Sequence, residues 1–86
     1  MKKYSYVKTN NTAIISFHDN SPLFLNETAS EIFDYYIDNC TNKEIIEALS
    51  KKYPDVEQKV IENAVEEICN QLDELNIKEM ERDEIE

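Results

Sequence analysis

The chain has no glycine and no tryptophan among its 86 residues. Without glycine, backbone positions that need a positive φ fall to Asn or Asp, which tolerate the left-handed conformation next best. We therefore predict turns at Asn10-Asn11, Asp19-Asn20, Asn39 and Asn76. The lack of glycine also excludes a Gly-rich phosphate loop and a nucleophile elbow, two common catalytic motifs.

Histidine and cysteine are scarce, with His18 as the single histidine and Cys40 and Cys69 as the two cysteines. These residues are too far apart in sequence for a metal-ligand motif, so we predict no metal site and no cofactor. The cysteines are expected to stay reduced. A solvent-exposed surface accounts for the 19 side-chain carboxylates, so we predict no catalytic residues and no enzymatic activity.

Basic residues are also few, nine against 19 acidic ones, which gives a net charge of −10. That charge repels phosphate backbones and anionic lipid, so nucleic acid and membrane are excluded as default partners. No apolar run approaches the roughly 20 residues of a membrane span, and no apolar signal core follows the N-terminus. We predict a single cytoplasmic domain.

The N-terminal part of the sequence predicts three strands. Residues 4–8 and 12–17 are rich in β-branched and aromatic residues and are separated by a hairpin turn. A second turn ends at Pro22, and the short apolar run 23–25 follows it. Strands joined by short turns form an antiparallel meander, which leaves the third strand at an edge.

This predicted edge strand, Leu-Phe-Leu, is apolar on both faces. Alternation places Leu23 and Leu25 on one face and Phe24 on the other. Natural proteins usually protect an unpaired edge with charge, and this one has only Pro22 at its start. A peptide added as the next strand would satisfy the unpaired backbone groups.

Three helices are predicted after the strands. Asn26 is a favoured N-cap for the first helix, and Thr41 and Glu44 form a capping box that begins the second. Pro54 closes the second helix, and Asp55 and Val56 are expected to start a third that extends to Asn76.

The third helix has an apolar arc of about 180° and an acidic polar face. Because this arc is wider than packing against one neighbouring helix requires, we expect the third helix to lie across the sheet. The charge-dense residues 78–86 are expected to form a disordered tail after a folded domain of residues 1–77. The predicted fold is α+β and winged-helix-like, with a three-stranded antiparallel sheet followed by three helices.

Three segments in this order, LFLNETASEIFDYY, TNKEIIEALSKKYP and VIENAVEEICNQLDELNI, carry a family resemblance. Over residues 4–77 the chain resembles the PqqD family, the recognition elements of ribosomally synthesised, post-translationally modified peptides. Family members often have glycine where this chain has Asn39 and Asn76, and asparagine tolerates the same backbone conformation.

The resemblance implies a non-catalytic peptide chaperone. The leader of a precursor peptide would add as a strand beside the third strand, in a cleft completed by the third helix. The chaperone would then present the leader to a maturation enzyme, either a radical S-adenosylmethionine protein or a lasso-type leader peptidase. Carried over to this sequence, the peptide-binding residues would be Ser21, Leu23, Phe24, Leu25, Val60, Ala64, Glu67, Ile68 and Gln71.

Two other classes of protein fit parts of the sequence. A winged-helix transcription factor would need a basic recognition helix, and the third helix is acidic over its polar face. An acidic adaptor or antitoxin-like protein that binds a basic protein partner remains the alternative.

The net charge also favours a leader with basic residues. An edge that accepts a peptide can accept a second copy of the chain, so dimerisation through the edge strand stays open.

Overall fold

Three strands precede three helices, as predicted, in a computed structural model that describes residues 2–18 and 21–83. A short 3-10 turn and a fourth strand follow the last helix. The elements are β1 (Lys3–Thr9), β2 (Thr12–Phe17), β3 (Leu23–Leu25), α1 (Glu27–Ile37), α2 (Asn42–Lys52), α3 (Gln58–Glu74), the turn Ile77–Glu79 and β4 (Glu81–Arg82). The predicted α+β class is confirmed.

The sheet has four strands in the order β3-β2-β1-β4. The first three strands form the predicted antiparallel meander, in which Ile14 of β2 pairs with Val7 on one side and Phe24 on the other. β4 runs parallel to β1, so the sheet is mixed. The prediction of a purely antiparallel three-stranded sheet was therefore incomplete.

The segment after α3 departs from the expected disordered tail. The Glu81 amide donates to the Lys2 carbonyl at 3.1 Å, and the Asp83 amide donates to the Tyr4 carbonyl at 2.7 Å. Ile77 is fully buried. These contacts fix a segment whose local composition gives no strand signal, because a buried side chain and backbone pairing outweigh propensity. Residues 84–86 of the expected tail lie outside the described residues.

Asparagine takes the left-handed backbone positions, as predicted from the lack of glycine. Asn10, Asn39 and Asn76 have φ angles of 54°, 65° and 56°. Asn10 turns the first hairpin, and the other two follow the ends of α1 and α3. The fourth predicted turn, Asp19-Asn20, lies outside the described residues.

Side-chain caps begin the first two helices but not the third. The Asn26 side chain accepts from the Ala29 amide at 2.8 Å, and both hydrogen bonds of the Thr41 and Glu44 capping box are present. The expected start of α3 at Asp55 was wrong. The helix begins at Gln58 after an N-cap without a side-chain bond, because the chain turns between Tyr53 and Val56 first.

The helix that packs on the sheet is α1, not α3 as expected. Phe33 of α1 is fully buried, with its ring 4.7 Å from that of Tyr6 and 6.2 Å from that of Tyr4, centroid to centroid. Only one residue separates β3 from α1, so the apolar face of α1 packs directly on the sheet. The wide apolar arc of α3 has another explanation, since α3 packs against both α1 and α2.

Two tyrosine hydroxyls tie α1 to its neighbours. Tyr6 of β1 donates to Asp34 at 3.0 Å, and Tyr36 of α1 donates to Asp73 of α3. Burial, followed by the hydrogen bond to Asp34, raises the pKa of Tyr6 from its ordinary value of 10.0 to about 12. Burial and the bond to Asp73 raise the pKa of Tyr36 as well.

These tyrosines predict a loss of stability at alkaline pH. Between pH 10.0 and about 12, Tyr6 keeps its proton in the folded chain and loses it in the unfolded chain, so deprotonation favours unfolding. The contribution of Tyr6 to the free energy of unfolding is thus complete below pH 10.0 and declines as the pH rises toward about 12. In urea unfolding across this range, we expect Tyr6→Phe to show a shallower decline than the parent chain. Parallel curves would contradict this.

Candidate functional site

Charge is distributed unevenly between the strands and the helices. The first acidic residue of the chain is Asp19, so β1 and β2 contain no carboxylate, and neither does β3. All 19 acidic residues lie in the remaining segments, mostly on the helices. The β3 edge is therefore an uncharged surface on a strongly acidic protein.

β3 is an edge strand with an open side. It pairs with β2, and within residues 2–18 and 21–83 no strand pairs with its other side. Leu25 points into the core, Leu23 is half-buried, and Phe24 is 70% exposed on the opposite face. The predicted alternation along this strand is confirmed. An open edge with an exposed aromatic side chain is the feature that strand-adding peptides use.

On the outer face of the sheet, Phe24 continues an apolar row. Val7 and Ile14 are cross-strand neighbours, and Ile14 in turn neighbours Phe24, so the three side chains form one stripe. All three are exposed. A peptide strand added to β3 would extend the stripe by one position, because cross-strand neighbours on one face lie about 5 Å apart.

On the inner side of β3, a shallow groove of about 240 Å³ separates the start of α1 from α3. Its α1 side begins at Asn26, the residue that directly follows β3, and its floor includes the buried residues Ala29 and Ile32. The complete lining is Asn26, Thr28, Ala29, Ile32, Ala64, Glu67 and Ile68. A peptide paired with β3 would thus have an apolar depression beside it.

The apolar arc of α3 divides into a buried half and a partly exposed rim. Ile61, Val65, Cys69 and Leu72 are buried against the other helices. Val60 is 55% exposed, whereas Ala64 and Ile68 are half-buried. Of these three residues, Ala64 and Ile68 line the groove, which the helical wheel alone could not decide.

The structure brings together part of the site implied by the family resemblance. Ala64, Glu67 and Ile68 line the groove. Val60 and Gln71 are exposed on the same face of α3, about one turn before and one turn after them, and do not line it. Ser21 is exposed and precedes β3. Sequence reasoning missed Asn26, Thr28, Ala29 and Ile32, because caps and core positions of a helix give no local signal of a groove.

Groups that could support catalysis or metal binding are not gathered at this groove. Cys40 and Cys69 are both free thiols, and burial raises the pKa of the Cys69 thiol. A raised thiol pKa makes a poor nucleophile at neutral pH. Within the described ranges, no group of three or more His, Cys, Asp or Glu residues is arranged to hold a metal ion.

The chain is an α+β domain whose apolar open edge lies beside a groove between two helices, and an exposed sheet edge is one of the surfaces to which an extended peptide can add. The model of one protein family, described as Coenzyme PQQ synthesis protein D (PqqD), matches residues 6–77. The chain therefore belongs to the PqqD family. No curated protein and no solved structure matches the chain. Of the helices in the described part of the chain, none has the length and apolarity to cross a membrane.

Family membership places the chain among proteins of natural-product biosynthesis that handle ribosomally made peptides. It supports a general role as a peptide-binding chaperone and agrees with the expectation of a non-catalytic protein.

Proposed function

We propose that this protein binds the leader of a ribosomal precursor peptide by strand addition and presents it to a maturation enzyme. The leader pairs with the open side of β3, its inward side chains enter the groove toward α3, and its outward side chains lie beside Phe24. Main-chain hydrogen bonds supply affinity that depends little on sequence, and the groove selects the leader. The peptide-binding residues are Ser21, Leu23, Phe24, Leu25, Val60, Ala64, Glu67, Ile68 and Gln71.

The observation that carries the proposal is the open, uncharged β3 edge with Phe24 70% exposed, directly beside the groove. The other edge of the sheet differs, since β4 of the same chain covers β1. β4 itself has only two residues, both charged, so in the described part of the chain β3 is the apolar, uncharged edge that is open to an added strand.

The enzyme partner in this proposal is a radical S-adenosylmethionine protein or a lasso-type leader peptidase. The chaperone contributes no reacting group. It lowers the entropic cost of the reaction by holding the leader, and with it the attached core peptide, close to the enzyme.

NMR titration tests the binding step. Isotopically labelled protein is titrated with synthetic leaders taken from short reading frames beside its gene. We expect amide shifts concentrated at Leu23–Leu25, at Asn26 and Thr28, and along residues 60–71. Amides near the β1–β4 edge, such as that of Tyr4, serve as the internal control and are expected to move little.

Two results would contradict the proposal. Shifts confined to the acidic faces of the helices would indicate an acidic adaptor that binds basic partners through charge. A folded spectrum that no leader perturbs would favour the same alternative, with a basic protein as partner.

A further inference from the structure

The groove beside β3 combines an apolar floor with one charged residue. Ala29, Ile32, Ala64 and Ile68 supply aliphatic surface, while Asn26 and Thr28 are neutral. Glu67 is the single charged residue of the lining, and the lining contains no Lys or Arg. A peptide side chain that enters this groove therefore meets either aliphatic surface or a carboxylate.

The carboxylate of Glu67 is available to a ligand. Glu67 is exposed, and no basic side chain of residues 2–18 or 21–83 forms a salt bridge with it. The two salt bridges of the described chain lie elsewhere, at Lys8 with Asp34 and at Lys52 with Glu31. A peptide carboxylate would be repelled here both locally and by the net charge of −10, whereas a cation is attracted by both.

We propose that the groove selects leaders with an aliphatic residue and a Lys or Arg at alternate positions, the basic residue pairing with Glu67. This rests on the proposed strand addition. In an added strand, side chains two residues apart share a face, so both of these residues point into the groove. The residue between them points outward beside Phe24, where an apolar side chain extends the exposed stripe of Val7, Ile14 and Phe24. The recognised pattern is thus aliphatic, apolar, basic, in either chain direction.

The same carboxylate disfavours a second copy of the chain as the occupant. The strand that a second copy would offer is Leu23-Phe24-Leu25, preceded by Ser21 and Pro22. This segment has no basic residue to pair with Glu67, and Pro22 lacks the amide hydrogen needed for strand pairing. Two copies would also bring together two chains of net charge −10. Glu67 therefore favours a basic leader over dimerisation through β3.

Selection from a random peptide library tests this without knowledge of the natural leader. Twelve-residue peptides displayed on their encoding messenger RNA are selected against the immobilised parent chain and three variants. Glu67→Lys reverses the charge in the groove. Glu66→Lys makes the same change at an exposed position outside the groove lining and is the matched control. Ala64→Arg fills the groove, and circular dichroism verifies that each variant is folded.

We expect the parent chain and Glu66→Lys to enrich the aliphatic, apolar, basic pattern, and Glu67→Lys to enrich Asp or Glu in place of the basic residue. For one selected peptide, replacing its basic residue by Glu should weaken binding to the parent chain by about fivefold or more and strengthen binding to Glu67→Lys. Ala64→Arg should enrich neither pattern.

The outcomes separate the two proposals. In one outcome, Ala64→Arg abolishes the enrichment, but the selected peptides show no preference for a basic residue, or show one that Glu67→Lys does not alter. This result would overturn the role of Glu67 and would leave the proposed strand addition intact. If Glu66→Lys and Glu67→Lys change the selected peptides equally, the basic preference is due to net charge, and the role of Glu67 is again overturned. If no peptide is enriched, or enrichment survives Ala64→Arg, the proposed binding site itself is wrong.

Discussion

Replacing Phe24 with Asp is expected to weaken leader binding by about 30-fold or more while leaving the fold intact. The side chain is 70% exposed, so its loss removes little core packing. In a bound complex the same ring would be covered by the outward residues of the added strand, and a central aromatic contact contributes about 2 kcal/mol or more. A carboxylate at this position also places unpaired charge against the peptide. Fluorescence anisotropy with a labelled leader measures the change.

Val7→Asp is the matched control for this substitution. Val7 is 50% exposed on the same face of the sheet and receives the same added charge, but it lies on β1, two strands from the open edge. We expect leader affinity to change by less than about threefold, the effect of one distant surface charge. Equal losses in the two variants, or unchanged affinity in a folded Phe24→Asp, would show that the leader does not bind at β3.

Ile77→Ala is expected to lower the free energy of unfolding by about 2–5 kcal/mol, the range for truncating a buried Ile. Ile77 is fully buried, although it follows the last long helix and precedes a segment of nearly continuous charge. Its burial anchors the turn that leads into β4. There, the Arg82 guanidinium lies 5.0 Å from the ring centroid of Tyr6 and 5.8 Å from that of Phe33. Urea unfolding monitored by circular dichroism gives the change.

Val56→Ala serves as the control, because Val56 is 42% exposed and its truncation should cost less than about 0.5 kcal/mol. A comparably small effect for Ile77→Ala would mean that the segment after α3 contributes little to the fold. Residues 78–83 would then behave in solution as the disordered segment that their composition predicts.

The features that the sequence predicted correctly are those that depend on neighbouring residues. A chain without glycine must use asparagine where φ is positive, and Asn10, Asn39 and Asn76 do so. The caps at Asn26 and Thr41 arise from bonds to residues three positions ahead. The position of Phe24 on the exposed face follows from period-two alternation, which places the half-buried Leu23 and the buried Leu25 on the other face.

Other features depend on contacts between distant segments, and local pattern could not supply them. The width of the apolar arc on α3 suggested packing on the sheet, yet the arc packs against α1 and α2 and leaves Val60, Ala64 and Ile68 as a partly exposed rim. β4 has only two residues, Glu81 and Arg82, and forms because β1 presents an unpaired edge.

The sequence by itself determined the order of the elements, most of their boundaries and the apolar edge at β3, because these follow from local hydrogen bonding and hydrophobic periodicity. The tertiary structure alone decided which helix covers the sheet, that β4 pairs with the free side of β1, and which residues of α1 face α3 across the groove. The physical reason is that these features are set by the packing of side chains from segments far apart in the chain, and periodicity shows that a face is apolar without showing what it meets.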